Sequence, residues 1–269
     1  MLVNGQLNDS ISALDRGLAY GDGVFRTLSV KRGVPFNWQR HYLKLRHDCE
    51  ALQITCPSAE LLLSELQSLC TQQQDSVAKI IITRGIGQRG YAPSAGKVAT
   101  RILSVSLATQ FNPEFYSSGI SAHVCRLKLG HQPLLAGIKH LNRLENVLAA
   151  SECAELDTPE GLIEDEDGLV ISGTRSNLFW LSDSTLYTPD LKQCGVAGVQ
   201  RDRVIDWANE QDMPCKIVSI HMPQLLDADE IFLVNSVIGL WPIRKLPGYN
   251  RTIHPVSWQI QKWLNDENH

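Results

Sequence analysis

Gly137-Ile138-Lys139-His140-Leu141-Asn142-Arg143-Leu144-Glu145-Asn146-Val147 sets one lysine between an apolar loop and an amphipathic pattern. Leu134, Leu135, Ala136 and Ile138 lead into Lys139. Leu144, Val147, Leu148 and Ala154 then recur on one side of a helix expected over about 141–155. Taken alone, this is a surface lysine ahead of a helix. Its meaning depends on the segments on either side.

Working outward, the next signals downstream are β-type. A hairpin is expected over 162–164 and 169–171, turning at Asp165-Glu166-Asp167-Gly168. Strands follow over 177–181 and 186–188, turning at Asp183-Ser184. Gly195-Val196-Ala197-Gly198-Val199 opens a helix to about 210, with strands near 215–220 and 230–235 and a last helix near 256–265. Upstream, a strand is expected over 119–127, preceded at 110–118 by Asn112-Pro113 and two serines, the best boundary signal in the chain. The first part reads as a hairpin at Asn4-Gly5, a glycine-rich loop over 15–23, and a strand over 24–30. A helix follows, with Trp38, Tyr42, Leu45, Cys49 and Leu52 on one face, then a second helix near 59–71 and strands over 77–83 and 102–107. The expected architecture is α+β in two domains. Residues 1–111 form a smaller N-terminal domain, 112–118 a linker, and 119–269 a strand-rich C-terminal domain. A cleft between two domains is the default place for a ligand.

Composition narrows the class of function. The chain has 269 residues, 43% hydrophobic and 20% charged, with a formal net charge of -4 and no long run of one sign. That argues against nucleic acid and anionic membrane as main partners. The seven cysteines are scattered and contain no C-x-x-C pair, which suits a reducing, cytoplasmic setting and opposes a disulfide framework or a zinc site. The start, Met1-Leu2-Val3-Asn4, has no basic and apolar leader pattern, so no signal peptide is expected. No apolar run reaches the roughly 20 residues that span a bilayer.

Several motifs are absent or ambiguous. There is no H-E-x-x-H and no G-x-S-x-G, and His41, His47, His123 and His221 read as surface or packing residues, so no metal is expected. Gly90…Gly96-Lys97 is one residue too long for a P-loop, and Val98 stands where a hydroxyl would meet magnesium. The turn at Gly195–Val199 is either an anion site at a helix start or a plain connection. Arg84, Arg89 and Arg101 flank a loop and either clamp carboxylates or lie solvated.

The order of the segments carries more than any one of them. Asp15-Arg16-Gly17…Tyr20-Gly21-Asp22-Gly23-Val24-Phe25, His41-x-x-Lys44-Leu45, Arg84-Gly85, Lys139-His140-Leu141-Asn142, Ser176-Asn177-Leu178-Phe179, Gly195-x-x-Gly198-Val199 and Ala228-Asp229-Glu230…Asn235-Ser236 occur in sequence. This ordered set resembles the class IV, fold-type IV pyridoxal-phosphate enzymes. Within that family Ala136–Glu145, Arg89-Gly90-Tyr91 and Thr100–Val105 are most similar to the 4-amino-4-deoxychorismate lyases.

The resemblance implies an N-terminal α/β domain and a C-terminal pseudo-barrel, a homodimer, and pyridoxal 5'-phosphate carried on Lys139. It places Lys44 near the phosphate, where the family usually has arginine, with Arg46 sharing the task. Gly198, Val199, Asn235 and Ser236 would supply phosphate donors, and Asn177 would also face the cofactor. It implies elimination of pyruvate from 4-amino-4-deoxychorismate, with Arg26, Thr27, Arg84, Arg89 and Tyr91 as candidates for contacting the substrate. The family's glutamate toward the pyridine nitrogen is replaced here by Ser172. Serine can hydrogen-bond but holds no charge, which handicaps transamination more than an elimination that ends in an aromatic ring. Glu164 or Glu166 filling the gap is a competing expectation. The other expectations are a branched-chain or D-amino-acid aminotransferase and a non-catalytic cofactor-binding protein.

Overall fold

The computed structural model describes residues 1–70, 74–93 and 98–266. The described residues form two compact units, one of those up to 110 with 138–142, the other of 111–137 with 143–266.

In the first unit the elements are β1 (Leu2–Val3), β2 (Gln6–Leu7), α1 (Arg16–Tyr20), β3 (Gly23–Lys31), β4 (Val34–Pro35), α2 (Trp38–Ala51), α3 (Ala59–Leu69), β5 (Ser76–Thr83) and β6 (Thr100–Leu107). The strands make one sheet in the order β2-β1-β6-β5-β3-β4. Strand alternation decides its faces. Val24, Leu28 and Val30 of β3 join Ile80, Ile82 and Leu103 under α2 and α3, whose Leu45, Cys49, Leu62 and Leu66 close the core. Phe25, Thr27 and Ser29 point the other way. The glycine-rich loop expected over 15–23 contains a short helix instead. Asp15 caps it by accepting from the Gly17 N–H at 2.8 Å, and Gly21 ends it in the left-handed region, φ 65°. Thr71, the expected end of the second helix, lies outside the described residues.

In the second unit the elements are α4 (Glu114–Ser117), β7 (Ile120–Leu129), α5 (Leu144–Glu155), β8 (Glu160–Asp165), β9 (Val170–Gly173), β10 (Asn177–Ser182), β11 (Thr185–Pro189), α6 (Val199–Glu210), β12 (Cys215–Val218), α7 (Met222–Leu225), β13 (Glu230–Asn235), β14 (Gly239–Leu246), β15 (Tyr249–Asn250) and α8 (Pro255–Asn265). The sheet runs β12-β11-β10-β13-β14-β7-β8-β9, and β9 pairs back onto β10. That last pairing, Asn177 opposite Ser172, closes six strands into the barrel. The stretch 111–118 packs here rather than hanging as a linker. Phe111, Phe115 and Tyr116 meet the Trp241 ring edge-on at 5.0, 5.1 and 6.2 Å between centroids. β14 is hidden from a pattern reading because Gly239 and Pro242 punctuate it.

The helix expected from 141 begins three residues later, at Leu144. Residues 139–141 pair with the start of β3 instead. Its inward face also differs from expectation. Ala149 and Cys153 are buried, whereas Leu144, Val147 and Leu148 are exposed. No helix among the described residues is long and apolar enough to cross a membrane. All seven cysteines are free.

Candidate active site

Lys139 is fixed from both sides of its backbone. Its N–H donates to Asp48 Oδ2 at 3.0 Å. Its carbonyl accepts from the Phe25 N–H at 3.0 Å, and Leu141 N–H reaches the Gly23 carbonyl at 3.0 Å. Ile138, 3% exposed, plugs the core of the first unit, a burial worth about 1.5–3 kcal/mol. Asn142 donates to the Gly21 carbonyl at 3.4 Å. A side chain on Gly21 would strike Asn142, its Cβ falling 2.3 Å from Oδ1. The Lys139 amine, half-buried, rests 4.5 Å from the centroid of the Phe25 ring, a cation–π contact.

Lys79 was not among the expected site residues. Its Nζ lies 5.2 Å from the same ring, and it pairs across the sheet with Thr27. Its signal was a single lysine within the apolar run Val77-Ala78-Lys79-Ile80-Ile81-Ile82.

Arg26 and Thr27 are consecutive in a strand, so they cannot share a face. Thr27 is on the face of Phe25. Arg26, expected to receive a substrate carboxylate, is 2% exposed and turned into the core. Its Nη2 donates to Asp48 Oδ2 and to the Lys44 carbonyl, the latter at 3.3 Å. Lys44 is half-buried on α2. Arg46, two residues on, faces elsewhere and pairs with Glu50 at 3.4 Å.

Arg84 is committed within the protein. It donates to Asp22 Oδ2 at 2.8 Å, the Gln53 carbonyl at 2.8 Å and the Leu52 carbonyl at 2.7 Å. Arg101 grips Glu65 with both Nε and Nη2, the shortest contact being 2.6 Å. Arg89 and Tyr91 are exposed. The loop holding them is anchored by Arg16, which donates to the Gly90 and Tyr91 carbonyls at 2.8 and 2.6 Å and to Asp22 at 2.8 Å. Burial works to raise the Asp22 carboxyl, but hydrogen bonds and charge from Arg84 and Arg16 outweigh it and hold it below the usual carboxylate value. Gly96 and Lys97 lie outside the described residues.

In the second unit, Asn177 organises the turn at 195–198. Its Oδ1 accepts from Gly198 N–H at 3.1 Å and its Nδ2 donates to the Val196 carbonyl at 2.7 Å. Gly198 is the N-cap of α6 and Val199 its first residue, so the positive end of a 12-residue helix opens at the turn. Gly137 pairs with Val196 in parallel and exchanges hydrogen bonds of 3.0 Å with Gly195 and Ala197. Asn235 shapes the next turn. Its Oδ1 accepts from Val237 and Ile238 N–H at 2.8 and 2.9 Å, and its Nδ2 donates to the Arg175 carbonyl at 3.2 Å. Ser236 follows it, half-buried.

Ser172 is buried, and its hydroxyl donates to the Gly173 carbonyl at 2.9 Å. The two carboxylates expected as substitutes are engaged elsewhere. Glu164 pairs with Lys128, and Glu166 with His131. Two carboxylates of this hairpin are buried, Asp165 at its turn and Glu160 at its start, and sequence reasoning missed Glu160. It accepts from Gly161 N, Thr174 N, Thr174 Oγ1 and Ser176 Oγ, and so shapes the loop leading into Asn177.

Sequence spacing singles out no metal ligands. The fold does bring His131, Asp165 and Cys194 together, their donor atoms within 4.8 Å of one another. Hydrogen bonds already employ two of the three. Asp165 Oδ1 accepts from Asp167 and Leu169 N–H, and Oδ2 faces His131 Nε2 at 3.0 Å. That contact raises the His131 pKa above its ordinary value. Burial pushes the Cys194 thiol up to about 12.

Residues 23–246 match the family described as amino-transferase class IV. The chain belongs to the class IV aminotransferase family. An aminodeoxychorismate lyase of Vibrio harveyi is 35% identical, covering 90% of this chain and 89% of its own. A crystal structure of 4-amino-4-deoxychorismate lyase from Pseudomonas aeruginosa superposes with a TM-score of 0.93 at 42% identity, covering 98% and 97% of the two chains. A D-alanine aminotransferase of Bacillus licheniformis is 26% identical, covering 92% of this chain and 88% of its own. The class IV family is pyridoxal-phosphate dependent, and the donor chemistry here fits that group. The first unit offers a primary amine on a pinned backbone and the second a helix N-terminus shaped by Asn177, while the Ser172 hydroxyl is where the chain departs from the family's carboxylate.

Proposed function

We propose that this class IV enzyme is a 4-amino-4-deoxychorismate lyase, releasing pyruvate and 4-aminobenzoate, a step toward folate. The observation that carries the reading is Lys139, the one lysine of the stretch 137–147, half-buried and locked at its backbone with its amine beside Phe25. The similarity to lyases at 35% and 42% identity supports it.

Lys139 would hold pyridoxal 5'-phosphate until the substrate's amine takes its place, and the group would supply an electron sink at the substrate's aminated carbon. Lys44, Gly198, Val199, Asn235 and Ser236 are proposed to hold its phosphate, with Asn177 shaping that grip. Lys139 acts as general base, taking the proton from the aminated ring carbon. Electrons then expel the enolpyruvyl group, and Lys139 returns a proton to its methylene carbon as pyruvate forms. The ring gains aromaticity, and neither water nor an oxidant is consumed. Thr27, Arg89 and Tyr91 remain proposed substrate contacts. Arg26 and Arg84 are spent on internal bonds. Ser172 favours this elimination over transamination, because an uncharged hydroxyl cannot hold a proton on the pyridine nitrogen as a carboxylate does.

The exposed Leu144, Val147 and Leu148 stand one turn apart on α5. They support a homodimer in which a second copy covers this apolar stripe. The free cysteines support a cytoplasmic setting.

The test mixes purified protein, pyridoxal phosphate and 4-amino-4-deoxychorismate and follows both products. Equal formation of 4-aminobenzoate and pyruvate, abolished in Lys139→Ala, is expected. Loss of cofactor colour with D-alanine or a branched-chain amino acid, restored by a 2-oxo acid and without lyase products, would move the reading to an aminotransferase.

A further inference from the structure

We propose that the Arg26–Asp48 pair is a positioning device for Lys139 and Lys44, and not a substrate contact; this rests on the proposed function only for what those two lysines do. Both side chains are almost wholly buried, 3% and 2% exposed. A buried ion pair on elements that also carry the core residues Val24, Leu28, Leu45 and Cys49 is a costly choice, since apolar residues of similar size are often as stable or better. Its bonds suggest what it provides. One carboxylate oxygen, Asp48 Oδ2, accepts both from Arg26 Nη2 and from the Lys139 backbone N–H at 3.0 Å. The same Arg26 nitrogen donates to the Lys44 carbonyl at 3.3 Å. Strand β3, helix α2 and the 138–142 segment therefore meet at one charge pair, and both proposed cofactor lysines hang from it.

The 138–142 segment has no helix to hold it. The Lys139 peptide is kept in place by the Asp48 carboxylate on one side and the Phe25 N–H on the other. Arg26 fixes the carboxylate, so it acts through Asp48 and touches neither cofactor nor substrate. A hydrogen bond to a charged acceptor is among the stronger kinds. Without it the lysine backbone can swing, and a displacement of about 1 Å is enough to cost roughly 100-fold in a positioned reaction.

The test uses the double variant R26M/D48L in the full chain. It removes both charges together and so avoids stranding one in the core. Amide exchange is measured by NMR on the cofactor-free protein, alongside thermal stability and the affinity for pyridoxal phosphate. In the wild-type protein the Lys139 amide exchanges slowly. In R26M/D48L it exchanges at least about tenfold faster, while the Leu28 and Ile82 amides in the same sheet keep their rates, and cofactor affinity falls about 10- to 100-fold. A folded double variant with the Lys139 amide still protected and the cofactor bound normally overturns the proposal and leaves the pair a matter of stability alone. Should R26M/D48L fail to fold, D48N is read the same way. It keeps the volume and one acceptor oxygen, so a smaller acceleration at Lys139 is expected, and unchanged exchange overturns the idea. A wild-type protein that takes no cofactor on Lys139 sinks the proposed function, and the exchange rates still decide the positioning role.

Discussion

Gly198→Ala separates a steric demand from a conformational one. Gly198 has φ -75° and ψ 156°, values any residue adopts, so glycine is not needed there for its backbone freedom. It is needed for space. A Cβ at 198 would fall 2.4 Å from Asn177 Oδ1. Relieving that contact moves the Asn177 amide by about 1 Å, which breaks its bonds to Gly198 N–H (3.1 Å) and the Val196 carbonyl (2.7 Å). At about 1 kcal/mol net for each hydrogen bond, the cost is about 2 kcal/mol. In an Asn177→Ala background the obstruction is gone. The small gain from a less flexible unfolded chain, about 0.4–1 kcal/mol, then roughly cancels alanine's weakness as an N-cap, about 1 kcal/mol. The same substitution should be close to neutral there, giving a coupling of about 2 kcal/mol between the two positions. Urea unfolding of the wild type, both single variants and the double variant, followed by intrinsic fluorescence, measures it. A Gly198→Ala cost that is equal in both backgrounds refutes the reasoning.

His131 is raised by its bond to Asp165, so its charged form favours the fold. That stability is fully present below about pH 6.5 and is lost as pH rises through the raised value; thermal melts across this range should show the trend in the wild type and a flatter profile in His131→Gln. Asp22 behaves oppositely, its contribution present above about pH 3.9 and lost as pH falls through its depressed folded value. Arg84→Met should therefore move the acid-unfolding midpoint to higher pH, read by circular dichroism. Leu148→Asp, alone or with Val147→Asp, should convert a dimeric wild type to monomer in sedimentation velocity while leaving the far-ultraviolet spectrum unchanged.

Much of this protein is legible in the chain. Short β-branched and apolar runs bounded by turns place strands at β3, β5, β6 and β10, and the three-and-four spacing of Trp38, Tyr42, Leu45 and Cys49 places α2, because these patterns follow from local backbone geometry. The ordered signature singles out Lys139 and implies the class IV family, and the match over residues 23–246 bears out the family. The same pattern misjudged α5, since Leu144, Val147 and Leu148 make a convincing apolar stripe whatever covers it, and only the packing shows Ala149 and Cys153 turned inward. The arginines are the clearest case of what sequence withholds. A guanidinium looks equally suited to a substrate carboxylate or an internal one, and the choice rests on partners distant in the chain. Arg26 meets Asp48, Arg84 meets Asp22 and the end of α2, and Arg101 meets Glu65. Glu160 stayed unnoticed for the same reason, its partners Thr174 and Ser176 arriving only when β8 and β9 fold back. Sequence fixes which groups are available and the local period of the chain that carries them. Tertiary structure decides which charge each one meets, because a buried ion pair is a contact between residues that only the closed fold brings within hydrogen-bonding distance.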